Sequence, residues 1–223
     1  MSTSEATTTT FTGADGLRLV ADEWNRPSDS DRHDTARPSV LMLHGGEVDD
    51  VRPLRRWDPS AVVMRVMTEK LAERQPDLAF VRLLNAVGGW NEPIRSPVAD
   101  AEWALMRLRQ LYPGLPIAVV GHSMGGRTAF ELAGTQPLAA LVGLAPWLAD
   151  GYGESRFLGF PTLIVHGKAD TVTRQDASAD LVRRIRVAGG TAGFLSVPGW
   201  HSLGFRSAIW QRQVAAFLEH YLP

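Results

Sequence analysis

The chain has 223 residues, enough for one domain with a sizeable core, and 44% of them are hydrophobic. Its formal net charge of −1 argues against a general attraction to nucleic acid or to an anionic membrane. The absence of cysteine excludes disulfides, zinc–thiolate sites and a thiol nucleophile.

Met1–Thr10 is rich in Ser and Thr and has no apolar stretch, so it reads as a flexible tail rather than a secretory signal, with the folded domain over 11–223. Thr8–Thr12 and Leu17–Trp24 are β-rich runs joined by Gly13-Ala14-Asp15-Gly16, a hairpin signal. Asn25–Pro38 is a polar surface loop. Val40–Leu43 is a short apolar strand running into His44-Gly45-Gly46. Asp49 and Asp50 follow; two carboxylates without a third ligand nearby read as a solvated loop, and no metal is expected.

Val63, Met67 and Leu71 recur four apart and predict a helix. Ala79–Leu84 is the next strand, followed by the loop Asn85–Pro97 with Gly88-Gly89-Trp90. Ala101, Ala104, Leu105, Leu108 and Leu111 give a second helix. Ile117–Val120 is an apolar strand that ends directly in Gly121-His122-Ser123-Met124-Gly125-Gly126. Strand, sharp turn and helix with a serine at the apex form the context of a nucleophile elbow. The flanking glycines serve a turn in which a Cβ would meet backbone.

Ala140–Leu144, Thr162–Val165 and Gly193–Val197 complete the strands, and Trp210, Val214, Phe217, Leu218 and Tyr221 mark a C-terminal helix. A serine nucleophile needs a base, and the base needs an orienting carboxylate. The strand at 162–165 leads into His166-Gly167-Lys168-Ala169-Asp170, and the strand at 193–197 into Gly199-Trp200-His201. Asp170 and His201 therefore sit on loops at strand ends, with Asp150 as a rival for the acid. His44 and His122 sit inside turn motifs and read as supports of backbone geometry, and His166 ends a buried strand.

These four motifs, His44-Gly45-Gly46, Gly121–Gly126, His166–Asp170 and Gly199–His201, make the chain resemble a serine hydrolase of the α/β-hydrolase superfamily from about Phe11 to Tyr221. The resemblance implies a mostly parallel eight-stranded sheet with helices on both faces, a triad of Ser123, Asp170 and His201, and an oxyanion hole from the backbone N–H groups of Met124 and of Gly46 or its neighbour. It implies no cofactor. The serine sets the chain apart from branches of the fold that place an aspartate at the elbow.

Only Ala145–Gly159 is available where many relatives insert a cap, so an open site is expected, roofed by loops carrying Trp147, Leu148, Tyr152, Phe157 and Leu158. Trp90 and Trp147 are the expected pocket walls. The expected substrate is a small-molecule acyl ester or thioester, or a carrier-bound acyl group, with hydrolysis through an acyl-enzyme. Lyase, cyclase or acyltransferase chemistry and a binding module are the alternatives. No run is long enough to span a bilayer, and a cytoplasmic location is expected.

Overall fold

The apolar runs that punctuate the sequence become the buried centre of a sheet. A computed structural model describes residues 7–12, 18–24, 37–203 and 207–222. Its strands are β1 (Thr7–Thr12), β2 (Arg18–Trp24), β3 (Ser39–Leu43), β4 (Ala79–Leu84), β5 (Ile117–His122), β6 (Ala140–Leu144), β7 (Thr162–Gly167) and β8 (Ala192–Val197). They form an 8-stranded sheet in the order β1-β2-β4-β3-β5-β6-β7-β8. β3 to β8 run parallel to one another. β2 pairs antiparallel with β4, and β1 antiparallel with β2. Every residue of β3 to β7 is buried, as expected of strands covered on both faces.

The helices are α1 (Pro59–Arg74), α2 (Ser96–Leu111), α3 (Met124–Leu132), α4 (Gln175–Val187) and α5 (Ser207–Tyr221). Side chains alternate along each strand, so the sheet divides two cores. Val40 and Met42 pack with Met64, Met67 and Leu71 of α1 and Trp210, Val214 and Leu218 of α5. Leu41 and Leu43 pack on the other face with Leu105 and Leu108 of α2, Phe130 of α3 and Ile185 of α4. Each such side chain contributes about 1.5–3 kcal/mol by leaving water.

The strand order reverses at β3. From it the chain steps outward through α1 to β4, then returns across β3 through α2 to β5. At such a switch point the loops leaving two neighbouring strands diverge to opposite faces and open a crevice at their carboxyl ends. Here those loops begin at His44 and Ser123.

Two expectations change. The tail assigned to 1–10 is shorter, because Thr7–Thr10 belong to β1 and pair with Val20–Glu23. A threonine run is β-branched and suits a pleated edge. Part of the roof expected over 145–159 belongs to the core: Tyr152 and Phe157 are buried against Phe130, at ring distances of 6.1 and 5.4 Å, while Trp147 and Leu148 are half-buried and Leu158 is exposed. Only a one-turn 3-10 helix, Glu154–Phe157, forms there. The remaining tail (1–6), the Gly13–Gly16 turn and residues 25–36 of the polar loop lie outside the described residues.

Candidate active site

Ser123 stands between β5 and α3 with φ 54° and ψ −115°, a conformation that costs a non-glycine residue about 1–3 kcal/mol. Its surroundings impose it. A Cβ on Gly121 would strike the Gly125 carbonyl, and a Cβ on Gly125 would strike the carbonyls of Leu43 and His44. The Ser123 N–H donates to Leu144 O at 3.0 Å, and its carbonyl accepts from the N–H groups of Arg127 and Trp147, both at 3.0 Å. The hydroxyl is thereby aimed out of the turn.

His201 reaches it from the loop after β8. That loop is laced to the loop after β7: Lys168 N–H donates to Val197 O at 2.8 Å and Ala169 N–H to Gly199 O at 2.9 Å. A Cβ on Gly167 would collide with the Trp200 carbonyl, so a glycine is what lets the loops touch. The result is one hydrogen-bonded line. His201 Nε2 lies 2.9 Å from Ser123 Oγ, and His201 Nδ1 lies 2.9 Å from Asp170 Oδ2. The Asp170 side chain is fully buried, and that of His201 is half-buried. Burial alone would push the Asp170 carboxyl up, but hydrogen bonds from His201 and from the backbone N–H groups of Thr173 and Val172 outweigh it, and its pKa is lowered.

Asp150, the rival acid, is exposed and lines a separate groove of about 340 Å³ with Arg174 and Asp176. His44 and His122 act as supports. His44 Nδ1–H donates to Gly45 O at 2.6 Å, and its Nε2 accepts from Asn85 N–H at 3.1 Å. His122 Nε2–H donates to the His201 carbonyl at 3.0 Å and holds that loop in place. Burial pushes both imidazoles down to about 4, with the charge of nearby His201 adding to the effect at His122.

Gly46 packs under Met124 and against the Gly88 carbonyl, where a Cβ has no room. Met124 opens α3, so its N–H is one of the donors that a helix leaves without an intrahelical partner. Among the described residues neither that N–H nor the Gly46 N–H has an acceptor.

The pocket walls are not those expected. Trp90 is completely buried, and its Nε1–H donates to Glu92 Oε1 at 2.8 Å. The Arg127 guanidinium lies 4.3 Å from the ring centroids of both Trp90 and Trp147. Trp90 therefore packs against a half-buried cation instead of facing a substrate, and Trp147, half-buried on the same guanidinium, does not line the cavity beside Ser123. The cavity at Ser123 and His201, about 690 Å³, opens to the other side, toward the loop after β3. Gly45, Gly46, Leu54, Arg55 and Trp57 line it, and Trp57 is 69% exposed. Asp50 in the same loop is tied to Arg52 at 2.9 and 2.8 Å and to Asn91 through its backbone. Among the described residues no group of three or more His, Asp or Glu side chains is placed to hold a metal.

Sequence reasoning also missed His166 and Thr173, which both approach Asp170. His166 Nε2 lies 3.1 Å from Asp170 Oδ2, and Thr173 Oγ1 donates to the same oxygen at 2.9 Å. A threonine three residues after an aspartate is a turn signal that would have pointed to Thr173.

The profile of the family described as serine aminopeptidase, S33, matches residues 88–160, a stretch that holds Ser123 but neither Asp170 nor His201. No curated protein matches the chain. Among solved structures, the chain is similar over 98% of its length to an alpha-beta serine hydrolase homologue from Coxiella burnetii, with 18% identity, all of that chain covered and a TM-score of 0.71. It is similar over 99% to an esterase from Pyrococcus furiosus, with 16% identity, 94% of that chain covered and a TM-score of 0.73. It is similar over 98% to a serine hydrolase without a lid from Xanthomonas campestris, with 17% identity, 96% of that chain covered and a TM-score of 0.72. Among the described residues no helix is long and apolar enough to cross a membrane.

Proposed function

We propose that this chain, which has the α/β-hydrolase fold without a cap, is a serine hydrolase that cleaves carboxylic esters through an acyl-enzyme on Ser123. The observation that carries the reading is the continuous line from Ser123 Oγ through His201 to a buried, ionised Asp170. Asp170 accepts from His201 Nδ1–H, which leaves the Nε2 lone pair facing the serine. His201 takes the Ser123 proton as Oγ attacks the acyl carbon, then returns it to the departing alkoxide. Water, deprotonated by the same nitrogen, attacks the acyl carbon, and as the bond to Oγ breaks, His201 hands that proton to Ser123 Oγ, releasing the acid and free Ser123. The free N–H groups of Met124 and Gly46 hold the oxyanion, each worth on the order of 3 kcal/mol of barrier.

The cavity is within the range of a small-molecule site and stands open, which suits a substrate that enters from solvent. The test combines fluorophosphonate labelling with a panel of p-nitrophenyl acyl esters, acyl thioesters and an aminoacyl p-nitroanilide. Labelling and ester turnover are expected in the wild type, and both are expected to vanish in a folded Ser123→Ala variant. An unlabelled wild type, or a Ser123→Ala variant that keeps turnover, would overturn the reading. Faster turnover of the thioester or the anilide than of every ester would move the assignment to a thioesterase or a peptidase.

A further inference from the structure

Asp170 receives more than a triad acid requires. Oδ1 accepts from Val172 N–H at 2.8 Å and Thr173 N–H at 3.1 Å. Oδ2 accepts from His201 Nδ1 and Thr173 Oγ1, and His166 Nε2 stands 3.1 Å away on the same oxygen. His166 is the penultimate residue of β7 and its side chain is wholly buried. Its Nδ1 has no hydrogen-bond partner among the described residues.

That asymmetry selects the tautomer. With the proton on Nδ1, a buried donor would go unmade, and the Nε2 lone pair would face a carboxylate oxygen. With the proton on Nε2, the donor meets the Thr173 hydroxyl oxygen at 3.1 Å, with the Asp170 carboxylate beside it, and only a weak acceptor is left bare. An unmet buried donor beside an electron-rich oxygen is the costlier arrangement. Burial also lowers the pKa of this imidazole, which favours the neutral ring. The Thr173 hydroxyl has two acceptors for its one proton, Asp170 Oδ2 at 2.9 Å and the Ala145 carbonyl at 3.2 Å, so towards His166 Nε2 its oxygen accepts.

We infer that His166 is a positioning residue: as a neutral Nε2–H donor to Thr173 Oγ1, 3.1 Å from Asp170 Oδ2, it holds the Thr173 hydroxyl on the carboxylate that His201 uses and so sets how strongly Asp170 stabilises the His201 imidazolium. This rests on the reading of Ser123, His201 and Asp170 as a triad. A carboxylate that divides its lone pairs among several donors draws less strongly on each. Removing the His166 donor concentrates the charge on His201, raises the basicity of His201 and moves its deprotonation to higher pH. The ionisable groups facing His201 and His166 are Asp170, from the loop after β7, and His122, from the end of β5; His122 in turn feels His44.

Two measurements test it. In ¹⁵N-histidine-labelled wild-type protein, His166 is expected to carry its proton on Nε2 and none on Nδ1 across the pH range of activity. In the pH profile of kcat/KM, His166→Leu is expected to shift the acid limb upward by about one unit, the scale of one hydrogen bond to a charged group. His166→Gln, whose amide nitrogen takes the place of Nε2, is expected to restore the wild-type limb. A purely structural role would lower activity without moving the limb. A proton on His166 Nδ1, a cationic His166, or superimposable profiles for wild type and His166→Leu would overturn the inference. If His166→Leu does not fold, the tautomer and the His166→Gln profile decide. These outcomes are independent of whether Ser123→Ala abolishes turnover, so a failure here leaves the hydrolase reading standing.

Discussion

The two walls of the crevice are built in opposite ways. On one side, the loops after β7 and β8 are tied to each other by backbone hydrogen bonds and close around the fully buried Asp170 carboxylate with five donor groups in reach, while Val172 and Trp200 of the same loops stand exposed. On the other side, the loop after β3 carries Val48, Val51 and Trp57 at 58%, 75% and 69% exposure, with charged side chains between them. The first wall fixes geometry, because a misplaced base loses the proton transfer. The second wall lines most of the cavity beside Ser123, so it is where a bound substrate is expected to lie. The first wall is set by polar ties around one buried carboxylate and the second by exposed side chains, so substitutions on the two walls should have different signatures.

The sharpest break is at the acid. Asp170→Asn keeps the shape but reverses a donor–acceptor pair with His201 Nδ1, so kcat should fall by about 10⁴-fold. Asp150→Asn, in an exposed turn on a separate groove, should change kcat by less than about threefold. Steady-state kinetics on one ester decides between them. Comparable losses at both positions would mean that the loop after β7 does not hold the acid.

Next in size is acid sensitivity of the two buried histidines behind the crevice, His44 after β3 and His122 at the end of β5. His44 and His122 are depressed to about 4 from an ordinary value of 6.5. The folded state therefore binds fewer protons than the unfolded chain between those values. The stability owed to neutral imidazole is complete above about pH 6.5 and is lost as pH falls toward 4. At pH 4.5 the loss is about 2–3 kcal/mol for each ring. Protonating His44 would also cost its bond from Asn85 N–H, since Nε2 is the acceptor there. Asp170, whose pKa is also lowered, adds to the decline only at lower pH, as it falls through the folded value. Urea midpoints at pH 7.5 and 4.5 check this, and equal midpoints would show that the two rings titrate as if in water.

The same contrast explains what the sequence disclosed. Apolar runs of four to six residues can satisfy their backbone and bury both faces only in a covered parallel sheet, so β3 to β7 were legible. The elbow was legible because Gly121 and Gly125 sit where backbone meets backbone, a constraint written in residue type. Ser123, Asp170 and His201 followed from their places at strand ends. The ligand wall was not legible. Residues 47–58 are polar and lack periodicity, and their course depends on backbone ties to the loop after β4, such as Trp90 N–H to Glu47 O. Trp90 was misjudged because an indole after a strand end looks the same in sequence whether it faces a ligand or, as here, an arginine reaching over from α3.

That misjudgement supplies the finest test, a pair of tryptophans on the two kinds of surface. Trp90 is sealed against Arg127, with Trp147 6.1 Å away. Trp90→Ala would open a cavity and leave Glu92 and Arg127 short of a partner, at a cost of about 3–5 kcal/mol. Any fall in its activity should track the folded fraction and leave KM unchanged. Trp57 stands at the far rim of the cavity with the Arg55 guanidinium 5.7 Å from its ring centroid. Little of it is buried, so Trp57→Ala should move stability by no more than about 0.5 kcal/mol. Its ring can still cover part of a bound substrate, and losing that contact should raise KM a few-fold with kcat nearly intact, the mark of binding shared by ground and transition states. The rise should grow with the size of the acyl or alcohol group that reaches the rim, so a series of esters of increasing length separates this effect from a general loosening. Thermal melts of both variants beside that kinetic series decide the matter. A Trp57→Ala protein that unfolds early, or a Trp90→Ala protein whose melt is unchanged while its ester preference shifts, would place the ligand on the wall read here as structural.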